Sequence, residues 1–377
     1  MLRTAAGQPA RWLRALLAAT AALLLSGCGA VGYYAQAIGG HLAIMERARP
    51  IDDWLRDPAT SPELKARLEL ARRLRAFAVT DLALPDNASY TRFADLHRRA
   101  AVWNVAAAPA DSLVLKRWCF AFVGCVGYRG YYDEAAARAL AQGLEADDGL
   151  EVTVYGVPAY STLGWLDWLG GDPLVSTIIT WPEGALARIV FHELAHQQAY
   201  ASGDTMFNES YASAVGRMGA ERWLKSHASE TARRAYAQQD ERQRAFLRLT
   251  RATRDELNAI YEQKRSPGLD GQAMAAMKHE AMARFRERYE NLKAGWAAAG
   301  APYAGFDVWV AGANNAAFAL QAAYDAWVPG FERLFEREQG DWARFHAAVR
   351  HLARLPAAER DAQLRALTAA KPAAAPG

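Results

Sequence analysis

The run Ile189-Val-Phe-His-Glu-Leu-Ala-His-Gln197 constrains this chain more than any other stretch. On a helix, side chains four positions apart share a face, so His192 and His196 can present both imidazoles to one ion, with Glu193 beside them. No proline or further charge interrupts the run. Two imidazoles that bind, next to a carboxylate that takes a proton from water, are what a catalytic zinc asks for. The expectation is one Zn2+ ion, ligated by His192 and His196, with Glu193 as general base.

Such a site takes a third protein ligand and leaves a position for water. Glu209, in Phe207-Asn-Glu-Ser-Tyr-Ala212, stands on a second predicted helix after the turn Gly203-Asp204-Thr205. Two helices joined by a short turn pack antiparallel, which returns the start of the second past the histidines of the first. Glu209 is therefore the expected third ligand, with Asn208 beside it as a supporting residue. His227, in Lys225-Ser-His-Ala228, reads as solvated surface and stands second in line.

At the other end of the chain, Arg3, Arg11 and Arg14 precede an apolar stretch, Ala15 to Leu25, and the box Leu25-Ser26-Gly27-Cys28. The stretch is too short to span a bilayer and reads as an export signal, residues 1–27. The box resembles the bacterial lipoprotein signal, which implies cleavage before Cys28, lipidation of that cysteine and a membrane anchor in the cell envelope. Ala30 is not the aspartate associated with inner-membrane retention, so the expected site is the periplasmic face of the outer membrane. The three arginines also account for the whole formal net charge of +3. The remaining body is neutral, with no evident phosphate-binding surface, and nucleic acid is not an expected partner.

Cys119 and Cys125 remain, six positions apart. An exported protein meets an oxidising compartment, so the pair reads as a disulfide with Gly124 as the bend, or else as two buried thiols.

With 377 residues, 52% of them hydrophobic, the chain can bury one large core or two ordinary ones. Residues 28–110 read as helical: Ser61-Pro62-Glu63 opens a helix, Leu64, Leu68, Ala71, Leu74, Arg75 and Ala78 follow at helical spacing, and Leu84-Pro-Asp-Asn87 ends it. Residues 111–220 form a strand-rich core carrying the two motif helices, with predicted strands over Cys119–Val126, Val152–Val157 and Leu174–Thr180 and a helix after Asp133. Residues 221–370 read as helical, punctuated at Ser266-Pro267-Gly268, Gly300 to Gly305 and Pro329-Gly330, and 371–377 as a disordered tail. Asn314-Asn315 begins a further helix, either capping it or projecting amides into a cleft. The mixed charges around Arg242, Arg244, Arg248, Arg251 and Arg254 read as a solvated face, with anionic lipid headgroups as the other use.

His-Glu-Leu-Ala-His followed by Asn-Glu-Ser-Tyr-Ala resembles the gluzincin branch of zinc metallopeptidases. Together with Tyr128-Arg-Gly-Tyr-Tyr, Ala159-Tyr-Ser-Thr-Leu-Gly-Trp and Asn314-Asn-Ala, it is similar to the bacterial putative aminopeptidase family of predicted lipoproteins over nearly the whole mature chain. The resemblance implies an α+β, zincin-like fold: a small, mostly antiparallel sheet packed on the active-site helix, with helical regions at both ends. It implies hydrolysis of peptide substrates, an oxyanion donor among Tyr160, Tyr200 and Tyr211, and an edge strand at Ala159–Leu163 where Ser161 and Thr162 would hold an extended peptide. Arg129 is a candidate for a substrate carboxylate. Two departures stand out. Only twelve residues separate His196 from Glu209, and Ser213 stands where many gluzincins place an aspartate, so the support of a ligand histidine falls to Ser213, Asp204 or a backbone carbonyl. The expected activity is that of a zinc aminopeptidase; a zinc endopeptidase and a non-catalytic envelope scaffold are the alternatives.

Overall fold

The computed structural model describes residues 32–120, 124–159, 162, 170–263 and 271–369. The signal segment with Cys28, the residues Tyr160 and Ser161, the Ser266-Pro267-Gly268 turn and the tail all lie outside them. The chain divides into two compact units, 1–46 and 47–377. In the first, residues 32–46 are helical (α1).

The second unit begins with β1 (Arg49–Pro50), α2 (Ile51–Arg56) and α3 (Pro62–Thr80), followed by β2 (Arg92–Ala94), β3 (Val102–Pro109), β4 (Trp118–Phe120), β5 (Gly124–Val126) and β6 (Arg129–Tyr131). Then come α4 (Glu134–Ala146), β7 (Leu150–Val157), β8 (Leu174–Val175), α5 (Ser176–Ile179), α6 (Glu183–Ala195) and α7 (Thr205–His227). The rest is helical: α8 (Glu230–Glu262), α9 (Gly271–Ala298), α10 (Asp307–Ala311), α11 (Asn315–Asp325), α12 (Val328–Arg337), α13 (Trp342–Arg354) and α14 (Ala357–Ala369). Several boundaries follow from local chemistry. The Ser61 hydroxyl accepts from the Leu64 amide and the Asp133 carboxylate from Ala136, each satisfying an amide that a helix start leaves unpaired.

The protein is α+β, with helix predominating. β3 is the centre of an antiparallel sheet ordered β6-β3-β7, in which Asn104 faces Tyr155 and Trp103 faces Tyr131. A second sheet, β1-β2-β8, is mixed, with β2 and β8 parallel; β4 and β5 form a separate hairpin.

Five expectations need correction. Among the described residues the sheet packs chiefly on helices other than the motif helix: β3 and β7 pack on α4 and α11, whereas α6 packs on α7, α3 and α8. The region to residue 110 is not all helix, since β2 and β3 lie within it. β3 reads Val-Trp-Asn-Val-Ala-Ala-Ala-Pro and is buried continuously from Asn104 to Ala108. Covered on both faces, it carries small residues instead of an alternating pattern, and alanine does not announce a strand. Leu174–Thr180 is a two-residue strand and then a short helix, because β2 offers only Phe93 and Ala94 as partners. The division at residue 220 falls inside α7, and Pro329-Gly330 lies in the first turn of α12, where proline fits without breaking the helix.

Two buried polar links hold the frame around the motif. Arg75 on α3 donates to the carbonyls of Pro85, Asn87 and Ser89, and so fixes the loop that leads to β2. His346 on α13 ties α7 to the end of α3: its Nε2 lies 2.8 Å from the Leu82 carbonyl and its Nδ1 2.8 Å from the Tyr211 hydroxyl. A carbonyl can only accept, so Nε2 carries the proton and Tyr211 donates to Nδ1.

Burial holds the His346 imidazole down to about 4, with the Leu82 hydrogen bond opposing the shift and Arg350 adding to it. Between the unfolded value near 6.5 and this folded value, the unfolded chain takes up a proton that the native protein refuses. Stability is therefore lost as pH falls through that window, by up to about 3 kcal/mol from this residue. Thermal melts from pH 7 to pH 4 should show the loss, and His346→Gln should flatten it relative to the wild type.

Candidate metal centre

α6 ends at Ala195, so His196 is its C-cap residue, still in helical conformation, and the chain turns through residues 197–204 before α7 begins. Asn208 makes this quick return hold. Its amide donates to the Ala201 carbonyl at 2.8 Å and its side-chain oxygen accepts from the Ala201 amide at 2.7 Å. Gly203 takes a φ of 75° in the turn, a conformation most side chains avoid. The hairpin β4–β5 is seated on the same turn: Arg117 donates to the carbonyls of Cys125 and Gly203, and Gly124, at φ 79°, leaves no room for a side chain against Ser202 and Gly203. Within that hairpin Cys119 and Cys125 are joined as a disulfide, directly opposite each other in the strand register.

The return brings three ligand atoms together. His192 Nε2 lies 3.2 Å from His196 Nε2, and Glu209 Oε2 lies 3.4 Å from the first and 3.6 Å from the second. A tetrahedral ion with bonds of about 2.0–2.2 Å has ligand atoms roughly 3.3–3.6 Å apart along each edge, so the triangle has the size of one face of a zinc tetrahedron. The donor chemistry fits as well. A single proton between the two Nε2 atoms can serve only that pair, while a divalent cation serves all three groups. Among the described residues this is the one group of three or more possible metal-binding side chains so gathered.

The electrostatics point the same way. Burial would raise the Glu209 carboxyl, yet His196 and His192 outweigh it and hold it down to about 2. Burial pushes the His192 imidazole down against the pull of Glu209; at His196 the Glu209 charge overcomes burial and the imidazole is raised. Glu193 is 6% exposed and is pushed up to about 7 by burial, with His196 opposing and the charges of Glu209 and Asp172 adding. Its carboxylate makes no hydrogen bond to any described residue, so both oxygens remain available to a ligand.

A wall of tyrosines adjoins this cluster. Tyr324 on α11 stacks over the His192 ring, with centroids 6.3 Å apart and planes 15° from parallel. Tyr155 on β7 accepts from the Asn104 amide at 3.1 Å. The charge of Glu209 is felt by Tyr128, Tyr155, Tyr200 and Tyr324, all raised chiefly by burial, Tyr200 to about 12. Tyr324 could not be found from sequence: it lies on a helix far downstream, and only the fold brings it back. α11 is aimed by both its ends. Asn314 caps it and donates to the Val152 carbonyl, Asn315 donates to Pro109 and Ser112, and Ser210, next to Glu209, donates to the Ala323 carbonyl.

Other expected site residues are placed elsewhere. Tyr211 is no oxyanion donor: two positions beyond Glu209 it faces away, packed between Phe331 and Phe345 with its hydroxyl given to His346. Asp204 supports no histidine; it caps α7 and takes two bonds from the buried Arg360. Ser213 makes no hydrogen bond among the described residues, and His196 Nδ1 is buried without a partner there. Asn208 serves the turn instead of a ligand. His227 stacks on Trp223, 4.3 Å between centroids, and takes no part. Arg129 lies over the ring of Tyr131. The Thr162 amide, expected to meet a peptide, donates to the buried Asp172 at 2.8 Å, which also accepts from Gln197 at the end of the motif.

A family model described as putative aminopeptidase matches residues 32–364. No curated protein and no solved structure matches the chain.

Glycine at position 216 lets α7 approach α6. A Cβ there would stand 2.6 Å from the Arg188 carbonyl oxygen and 3.2 Å from His192 Cβ, and a backbone atom cannot swing aside. Gly216→Ala should force the helices apart, cost about 1–3 kcal/mol of stability and weaken metal binding. Thermal denaturation together with zinc titration checks both effects.

Proposed function

The chain belongs to the putative aminopeptidase family, and from that premise we propose that it is a zinc-dependent aminopeptidase anchored in the bacterial cell envelope. The observation that carries the metal part is the triangle of His192 Nε2, His196 Nε2 and Glu209 Oε2, with sides of 3.2, 3.4 and 3.6 Å. Zinc held there supplies Lewis acidity, polarising a scissile carbonyl and making water acidic enough to react near neutral pH.

The protein's own groups do the rest. Glu193, desolvated and without a hydrogen-bonding partner among the described residues, takes a proton from the attacking water as oxygen adds to the carbonyl carbon. It returns that proton to the amine nitrogen as the carbon–nitrogen bond breaks, so its own charge is restored at the end of the cycle. Tyr324 replaces Tyr211 as the oxyanion donor. Its ring stacks on His192 beside the ligand triangle, and from there its hydroxyl would donate to the oxygen that gains charge. Preference for a free amino terminus is drawn from the family. Attachment through lipid on Cys28 and a periplasm-facing position are drawn from the Leu-Ser-Gly-Cys box.

Replacing Glu193 by Gln removes the proton carrier and keeps the three ligands. Zinc content should stay near normal while hydrolysis of a peptide library falls about 100-fold or more. Glu209→Ala should lose metal together with activity, since two imidazoles alone hold zinc poorly. Full hydrolysis by the Glu193→Gln protein would sink the mechanism, and a library cleaved only at internal bonds would make the enzyme an endopeptidase.

The anchor has its own measurement. Cys28→Ala should move the protein from the detergent phase to the aqueous phase in a partition assay; unchanged partition would remove the lipid from the reading.

A further inference from the structure

Among the described residues six large apolar side chains are exposed, and three of them, Tyr34 (41%), Ile38 (60%) and Leu42 (49%), fall on α1 at four-residue spacing. That spacing places them along one helical face, where Ala35, Gly39 and Ala43 are also exposed. The buried residues of the same helix, His41 and Ile44, belong to its other side. Charge is missing here too. From Ala15 to Met45 the sequence contains no Asp, Glu, Lys or Arg, in a chain that is 23% charged.

We propose that this face of α1 is a membrane contact, lying in the interface of the lipid bilayer beside the acylated N-terminus. The inference rests on the reading that Cys28 carries lipid. Four residues take the chain from Cys28 to residue 32, the first described residue of α1, a reach of at most ~14 Å. From Tyr34 to Leu42 the helix rises about 12 Å, so the whole stripe stays close to the surface that the anchor fixes. An uncharged stripe can enter that surface without desolvating ions. Its tyrosine suits the headgroup level, and its isoleucine and leucine the acyl boundary. No described helix is long and apolar enough to cross a membrane, and in this proposal α1 lies along the bilayer surface. Acyl chains alone hold a protein near a membrane but leave it free to rotate. A helix seated in the interface removes that freedom for this unit.

The test uses the full-length exported chain with Ile38→Cys, labelled with an environment-sensitive fluorophore; Leu42→Cys serves as a second position. Cys119 and Cys125 are bonded to each other and Cys28 is acylated, so the label is selective. The protein is placed in phosphatidylethanolamine–phosphatidylglycerol vesicles carrying a shallow spin-labelled lipid, with Val308→Cys, 87% exposed on α10, as the reference position. Mass spectrometry of the N-terminal peptide reads acylation in the same sample. The proposal expects an acylated chain whose probe at 38 or 42 shifts to the blue and is quenched by the spin label at least twofold more than the reference. An acylated chain with no excess quenching overturns it. So does a probe shielded from aqueous iodide yet untouched by the lipid label, which would mean that another protein surface, such as a second copy, covers the face. A chain with no acyl group overturns the anchor reading itself, and the inference falls with it.

Discussion

Three ionisable side chains share one buried corner, and the stability of that corner depends on their staying together. Taking a carboxylate and two imidazoles out of water costs several kcal/mol unless each compensates the others, and removing one partner of such a group typically costs about 3–5 kcal/mol. Glu209 is 7% exposed and His196 8%. Neither would be tolerated there alone. The neighbouring features read as means of satisfying this requirement: the Asn208 clamp that shortens the turn, the glycines that let α6 and α7 close, and the hairpin seated on the turn through Arg117.

The sheet serves the site at one remove. Packed on α4 and α11, it supplies Tyr155, held by Asn104, while α11 supplies Tyr324, which stacks over the His192 ring. α11 thus couples two layers. Its first residues are bonded to β7 and to the loop after β3, and its last turn lies against Ser210 on α7. A helix fixed at both ends holds its aromatic ring over His192 with little freedom left to lose. On the opposite side, Gln197 and the buried Asp172 join the end of the motif to Ser89, Asn87 and the segment at Thr162.

The family, the pair of histidines, their glutamate and the start of the returning helix were all legible in the linear sequence. Each depends on an interaction spanning a few residues: a four-residue period, a glycine turn, a serine or aspartate before a helix. β3 was not legible, because alanines buried on both faces carry no alternation. Nor was the helix–sheet arrangement, since no local rule says which face of α6 will meet which neighbour.

The roles of individual side chains divide along the same line. The pairing of His192 with His196 follows from the sequence alone, because residues four apart share a face wherever the helix goes, and Glu193 comes with them as the next residue in the chain. Tyr211 and Asp204 stood as near to Glu209 in the chain as any candidate, but the tertiary structure turned one toward His346 and the other toward Arg360. Tyr324 was brought from more than a hundred residues away to stack on His192. Backbone geometry sets direction along a helix from sequence distance alone. The partner that a side chain finally meets is decided by which long-range contacts bury the most apolar surface while leaving no polar group unpaired, and that exists only in the folded chain.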